Sequence, residues 1–344
     1  TSTKYDVGFD LRMLNNRFTF NFDYFLNETD DLILDLETPP SLGIPGNSYS
    51  SNVGAIKNSG VELAAEARLI QTTDFTWTLN ANISFVDNEV ISLVNGQDRI
   101  AANNYTITRE GEPINSLYGF RYWGVNPSNG NPVYYKADGS LVQGMLPGGT
   151  YTTFDPSNPA AAGTSASLSA ANDRTILGQT LPTYFGGLSS SMAYKGFDLG
   201  FLFRFSGGNK VFNATRRELL NMNFTNNSTE ILGRWQSAEN PGDGWTPRLY
   251  SSSNTTVNLT SSATTRFVED ADFIKLDNLT LGYTIPSEMA QRMGMSKFRV
   301  YAQGQNLWII TDYTGADPEM EIAGVDLNLT PRSSIVSFGL NIGL

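Results

Sequence analysis

The side chains with the clearest chemical potential are three carboxylates near the C-terminus, Asp312, Asp317 and Glu319, which lie close to Tyr313. Carboxylates grouped in this way are suited to bind calcium or the hydroxyl groups of a substrate. The alternative interpretation is a turn, because Thr-Gly and Asp-Pro dipeptides punctuate this segment. The spacing also differs from that of an EF-hand calcium loop. The segment is therefore a candidate site with a simpler structural alternative.

Catalytic chemistry finds little support in the composition. The chain has neither cysteine nor histidine, which excludes disulfides, Cys nucleophiles, Ser-His-Asp hydrolysis and His-ligated zinc. A carboxylate pair can hydrolyse glycosides without either residue, but no acidic pair stands out from the solvated charges of the loops. We therefore predict that the chain is not an enzyme, and we expect neither a cofactor nor a resident metal.

Aromatic side chains in segments without strand periodicity form a second group of candidates. Their rings could stack on a substrate, whereas the alternative is that they anchor the cores of the loops. The candidates are Tyr105, Tyr134, Tyr135, Tyr151, Trp235, Trp245 and Tyr250.

The elements that must position these candidates have the period-two pattern of β-strands. From Ser333 to Leu344, and again from Phe75 to Phe85, one row of side chains is apolar and the other consists of small or polar residues. Strands of ten or more residues are longer than those of most soluble sandwiches. This pattern is typical of a transmembrane antiparallel β-barrel, which has lipid outside and water or a plug inside.

Composition and charge agree with an all-β membrane protein. Only 17% of the residues are charged and 12% are aromatic, and the apolar runs are too short for a membrane-spanning helix. The net charge of -11 disfavours nucleic acid as a partner, because nucleic-acid binding needs clustered Lys and Arg. We therefore expect the protein to lie in the lipid of an outer membrane.

The predicted connections alternate in length along the chain. Short links alternate with long polar segments, as periplasmic turns alternate with extracellular loops in outer-membrane barrels. About eleven strands result, including weaker ones near Ile100 to Thr108 and Leu117 to Val125, which follow a predicted loop at 87–98 and are joined by a predicted turn at 109–113. Eleven is an odd number, whereas bacterial single-chain barrels have even numbers. An open sheet would leave unpaired edges in lipid, so we expect residues 1–344 to form the C-terminal half of a larger barrel. The long extracellular loops are predicted near 38–52, 126–178, 213–267 and 314–332.

Several short motifs in collinear order resemble the C-terminal barrel region of the SusC/RagA-like TonB-dependent transporters of Bacteroidetes outer membranes. The resemblance extends over nearly the whole chain, and the motifs are specific as a set. They are Asn58-Ser59-Gly60-Val61-Glu62 followed by Trp77 and Asn82, Gly111-Glu112-Pro113-Ile114 with Tyr118-Gly119, Leu177-Gly178-Gln179 with Leu181-Pro182 and Phe185-Gly186-Gly187, Tyr194-Lys195-Gly196-Phe197-Asp198, Leu276 to Tyr283, Gln305-Asn306-Leu307, and Tyr313 to Glu319.

The resemblance implies a plugged barrel of the 22-stranded class, of which this chain would form about half. It also implies import of oligosaccharides or peptides, with a SusD-like surface lipoprotein as a lid over the extracellular mouth. The N-terminal plug and barrel half of the same transporter, and TonB-ExbB-ExbD acting through that missing part, would be the other partners. The loop aromatics and the segment around Asp312, Tyr313, Asp317 and Glu319 then become candidates for contact with substrate or lid.

A different class of protein remains as the alternative. A secreted or cell-surface all-β module that binds carbohydrate or mediates adhesion would also show alternating strands and aromatic loops. The outward apolar rows distinguish the two, because a charge placed there is costly in a bilayer.

Overall fold

The computed structural model describes residues 1–52, 54–93, 99–101, 104–146, 148–222, 226–250, 256–259, 262–319 and 324–344. Its main feature is an antiparallel sheet of nine long strands, here called the wall, in which each strand pairs with its neighbours in chain order. The nine strands are β1 (Ser2–Met13), β2 (Phe18–Asp30), β3 (Ala55–Gln71), β4 (Phe75–Ser92), β5 (Tyr184–Tyr194), β6 (Phe197–Gly207), β7 (Phe273–Thr284), β8 (Lys297–Thr311) and β9 (Ile335–Gly343).

Shorter strands occupy the connections between the long ones. They form two sheets of five strands, one of three and one of two. Their bounds are Ile33–Glu37, Ser48–Asn52, Arg99–Ala101, Thr106–Arg109, Ser116–Phe120, Tyr122–Val125, Pro132–Tyr135, Leu141–Gly144, Tyr151–Thr153, Ser165–Ala166, Thr175–Gly178, Lys210–Asn213, Ala263–Thr264, Val268–Asp270 and Val325–Asp326.

Helical structure is sparse in the described residues. The α-helices there are α1 (Ala214–Leu219) and α2 (Ser287–Arg292), and three short 3-10 turns span Pro40–Leu42, Pro45–Asn47 and Thr229–Gly233. Among the described residues, no helix has both the length and the apolar character needed to cross a membrane.

The two faces of the wall differ in polarity, as the period-two pattern predicts. Phe9, Leu281 and Phe338 lie on one face, and their exposed fractions are 54%, 54% and 83%. The opposite face carries polar and charged side chains, for example the ion pair between Arg299 and Asp198. Large apolar side chains exposed in such rows are costly in water but match the outer surface of a transmembrane barrel. We call the apolar face outward and the polar face inward.

Two of the short connections turn tightly through residues with positive φ. Leu14, Asn15 and Asn16 between β1 and β2 have φ values of 53°, 57° and 61°. Lys195 and Gly196 between β5 and β6 have φ values of 45° and 93°. Asn and Gly are the residues that favour this region in two-residue hairpin turns. The hairpins that the sequence predicts at these two places are confirmed.

Connection lengths alternate strictly along the wall. The short connections are 14–17, 72–74, 195–196 and 285–296, and the long ones are 31–54, 93–183, 208–272 and 312–334. In an antiparallel sheet with strands in chain order, this alternation places all short connections at one end and all long ones at the other. The four predicted long loops lie within the four long connections.

The number of wall strands differs from the sequence-based expectation of about eleven. The segments near Ile100 to Thr108 and Leu117 to Val125, predicted as wall strands, form short strands in smaller sheets. They are too short to cross a bilayer, which needs about 9–11 residues. The expected loop at 87–98 and turn at 109–113 are not separate wall connections. β4 continues to Ser92 and a single long connection follows, with residues 94–98 outside the described part.

The wall is an open sheet in the described part of the chain. There, β1 pairs only with β2, and β9 pairs only with β8. Both outer edges therefore present backbone groups that need hydrogen-bond partners in a membrane. An open wall of this kind fits the expectation of a barrel part.

Candidate functional site

The long connections fold into compact cores of their own at one end of the wall. One core packs residues from several connections and is almost fully buried, and a second core is built mainly from aromatic side chains. The first comprises Leu117, Phe212, Ala214, Leu220, Ala263, Phe267 and Val325, and the second Phe120, Tyr122, Tyr134 and Val142. The loops are therefore shaped surfaces on which a substrate or partner can be recognised.

Tyr134 belongs to the second core, and Trp245 packs against it. The Tyr134 side chain is fully buried, and its hydroxyl lies 2.7 Å from the carbonyl oxygens of both Thr256 and Val257. Burial raises the Tyr134 pKa well above its ordinary value. The Trp245 ring packs edge-on against Tyr122 at 4.9 Å. These contacts favour the alternative that sequence analysis left open, in which such rings anchor loop cores.

The remaining aromatic candidates are half-buried. Tyr135 lies under the Arg121 guanidinium at 4.8 Å, and Trp235 donates a hydrogen bond to the Pro127 carbonyl at 2.8 Å. Tyr151 packs against the second core, and burial raises its pKa to about 12.

Two further tyrosines connect different parts of the loops. Tyr250 donates a hydrogen bond to the Asn221 carbonyl at 2.5 Å, and burial raises its pKa to about 12. Tyr105 stacks on Phe212 at 4.9 Å in the first core. The structure thus distributes the aromatic candidates over several places rather than in one stacking platform.

The acidic candidates are brought together only in part. Asp312 is exposed, whereas Tyr313 is buried and donates a hydrogen bond to Asp326 at 2.6 Å. Burial, followed by that hydrogen bond, raises the Tyr313 pKa above its ordinary value. Asp317 accepts a hydrogen bond from the backbone N–H of Glu319 at 3.0 Å, which closes a local turn.

Glu319 ties the last long connection to the inward face of the wall. Its carboxylate lies 2.5 Å from Lys275 Nζ, 3.2 Å from an Arg204 nitrogen and 3.2 Å from an Arg332 nitrogen. Arg204 also pairs with Asp277 at 3.3 Å. Burial alone would raise the Glu319 pKa, but the three cations hold it below its ordinary value. We call these five residues the Glu319 cluster.

The Glu319 cluster bears on the calcium interpretation of this segment. Three cationic side chains already neutralise Glu319, so its carboxylate is a poor ligand for a further cation. In the described part of the chain, no group of three or more acidic side chains is arranged to hold a metal ion. The turn interpretation fits the geometry better than the calcium site.

Sequence reasoning identified only part of this cluster. Arg204 is an inward residue by its alternation with Phe203 and Phe205, but one of its two partners, Glu319, belongs to a distant loop. Lys275 alternates in the same way with Ile274 and Leu276, and this pattern is the sequence signal that places it on the inward face.

A second inward ion pair lies nearer the short-connection end of the wall. Arg299 of β8 contacts Asp198 of β6 through two hydrogen bonds of 2.9 and 2.5 Å. The Arg299 guanidinium also lies 4.8 Å over the Tyr301 ring. The two opposite charges therefore compensate each other on the face that a barrel turns to its lumen.

Comparisons with known proteins agree with this architecture. A family model described as TonB dependent receptor-like, beta-barrel matches residues 1–307. The chain is 30% identical to TonB-dependent receptor P3 of Formosa agariphila and 28% identical to TonB-dependent receptor SusC of Bacteroides thetaiotaomicron, over 99% of its own length in each case. A chain in the solved structure of the RagAB peptide transporter matches 99% of this chain, with a TM-score of 0.80 and 26% identity.

The matches cover nearly all of this chain but only a part of each relative. The chain spans 34% of receptor P3, 32% of SusC and 35% of the RagAB chain, about a third of each. The chain therefore belongs to the family of TonB-dependent receptors, which are outer-membrane proteins, and forms part of a transmembrane β-barrel.

Proposed function

We propose that the complete receptor imports oligosaccharides or peptides across the outer membrane, and that this chain supplies part of the barrel wall and several extracellular loops. The observation that carries the proposal is the likeness over 99% of the chain to a protein whose structure is that of a peptide transporter. The largely polar inward face and the cores built by the long connections support it, because a transport route needs a polar lumen and shaped loops at its mouth.

The proposed partners follow from the same likeness. A SusD-like lipoprotein would cover the loops as a lid, and TonB-ExbB-ExbD would act on a plug supplied by the rest of the receptor. The half-buried loop aromatics, such as Tyr135 and Trp235, are the proposed contacts with substrate or lid. The proposed role is transport rather than catalysis.

Deletion and uptake measurements test this function. We would delete the receptor gene in its host and measure the uptake of labelled oligosaccharides and labelled peptides, with the restored gene as the control. Loss of uptake of one class, with recovery on restoration, is the expected result. Unchanged uptake of both classes would contradict the proposal.

Purification of the receptor tests the partners independently. A tagged receptor extracted in mild detergent should bring down a surface lipoprotein, and mass spectrometry would identify it. Recovery of a soluble species without lipid or partner would favour the alternative, a surface-binding module.

A further inference from the structure

The outward face of the last three wall strands contains an apolar groove of about 630 Å³. Its floor is formed by Ala302 and Val300 of β8, and Ala302 pairs in register with Leu281 of β7 on one side and Phe338 of β9 on the other. The small alanine between two large side chains leaves the space. A groove of this volume lies in the usual range for binding small apolar ligands.

The groove is closed toward the long-connection end. At the next outward position of β8, the Leu307 side chain covers Gly304, where a Cβ atom would lie 2.6 Å from Leu307 Cδ1. In the other direction the groove extends to Phe197 and Tyr283, whose rings are 4.5 Å apart. It therefore runs from a blocked end toward the short connections.

The width of the groove restricts what can occupy it. Its two walls are strands β7 and β9, separated by the single strand β8, so their backbones are about 9.6 Å apart at the usual strand spacing. The side chains of Leu281 and Phe338 narrow that gap further. A helix with its side chains is about 10–12 Å wide and does not fit, whereas a single hydrocarbon chain does.

The position of the groove in the barrel identifies the source of the hydrocarbon chain. The groove lies on the outward face of an outer-membrane barrel wall, and it extends toward the short connections, which are periplasmic in such barrels. We propose that this groove binds one acyl chain of a phospholipid from the periplasmic leaflet. The hydroxyl-bearing ring of Tyr283 lies at the open end, where amphipathic rings meet the polar region of a bilayer.

Specific binding in this groove arises from packing rather than from the hydrophobic effect, since the competing bilayer is equally apolar. The acyl chain gains contacts with the groove walls that a disordered bilayer does not supply. The proposal depends on the outer-membrane location of the receptor and not on its import activity, so the two can fail separately.

Native mass spectrometry of the complete receptor tests the proposal. The receptor would be purified from outer membranes, delipidated in detergent and titrated with dipalmitoyl phosphatidylethanolamine. Ala302→Phe fills the floor of the groove and removes on the order of ten atomic contacts, so we expect it to weaken the tightest lipid binding about tenfold. Ala67→Phe is the matched control, because Ala67 lies in the outward row of β3, outside the groove, between Phe18 and Leu79.

Two further variants keep the test decisive. Phe338→Ala removes one wall of the groove at a side chain that is 83% exposed, so it should weaken lipid binding without preventing folding. Leu307→Ala opens the blocked end and should shift the preference from palmitoyl toward stearoyl chains. Equal lipid binding by the native receptor, Ala302→Phe and Phe338→Ala would overturn the proposal. A changed oligomeric state with unchanged lipid binding would instead assign the groove to contact between receptor copies, and preferential retention of lipid A would assign it to the outer leaflet.

Discussion

Glu319, in the last long connection, accepts a 2.5 Å hydrogen bond from Lys275, an inward residue of wall strand β7 whose side chain is 5% exposed. The pair joins residues 44 positions apart in the chain. It fixes a loop to the inward face of the wall, because the buried Lys275 ammonium needs a nearby anion and Glu319 is its closest one.

Removal of the Glu319 charge should release the last long connection. Glu319→Gln leaves the buried Lys275 ammonium without its closest anion, which we expect to cost about 3 kcal/mol. Hydrogen exchange of residues 314–319 in the purified receptor would measure the release. Asp312→Asn is the control, because Asp312 is exposed. Unchanged exchange in Glu319→Gln would show that the cluster does not hold the loop.

The same cluster predicts a dependence of loop stability on pH. The Glu319 pKa in the folded protein is below its ordinary value of 4.5, so ionised Glu319 stabilises the folded state fully above that value. The stabilisation is lost as the pH falls through the lowered pKa. We expect constant loop protection from neutral pH down to about 4.5, and a decline below it. The decline should be smaller in Glu319→Gln, and an equal decline in both proteins would argue against this assignment.

The outward face should reject charge where the inward face accepts it. Leu279→Arg places a guanidinium on the outward face between Phe201 and Gly304, and we expect a loss of about 2–4 kcal/mol if this position lies near the bilayer midplane. Thr280→Arg, one residue along on the inward face, is the matched control. The folded fraction in lipid vesicles, measured by urea titration, would compare them. Equal tolerance would mean that the outward row does not face lipid.

Gly339 should be intolerant of a side chain. A Cβ atom at this position would lie 2.3 Å from the Tyr301 ring, so Gly339→Ala forces the ring out of place, at a cost of about 1–3 kcal/mol. At Gly200 the nearest heavy atom to a Cβ is 3.8 Å away, and Gly200→Ala should be nearly neutral. Thermal unfolding of the detergent-solubilised receptor would distinguish them, and similar melting temperatures would refute the steric argument.

Tyr134 should act on loop stability rather than on substrate binding. Tyr134→Phe leaves the buried carbonyls of Thr256 and Val257 without their hydroxyl donor, which we expect to cost about 1–3 kcal/mol. Faster hydrogen exchange around residues 256–259, with unchanged substrate affinity in a binding titration, is the expected outcome. A large loss of affinity without faster exchange would place the Tyr134 hydroxyl in direct contact with substrate.

The sequence by itself determined the local character of the wall. Alternation such as Phe197, Leu199 and Phe201 against Asp198 and Gly200 fixes which side chains share a face, because successive residues of a strand point to opposite sides. The tight turns at Asn15-Asn16 and Lys195-Gly196 were equally predictable, since Asn and Gly accept positive φ. These features depend only on neighbours in the chain.

Only the tertiary structure decided the strand count and the roles of the loop residues. The segment Ser116–Phe120 has strand propensity, but pairing with Thr175–Gly178 places it in a small loop sheet rather than in the wall. Tyr134 anchors its loop core because its hydroxyl bonds to Val257, and Glu319 holds its loop to the wall because it pairs with Lys275. Both partners are far away in the sequence. Pairing, burial and charge compensation depend on which distant segments meet, and no local pattern encodes that meeting.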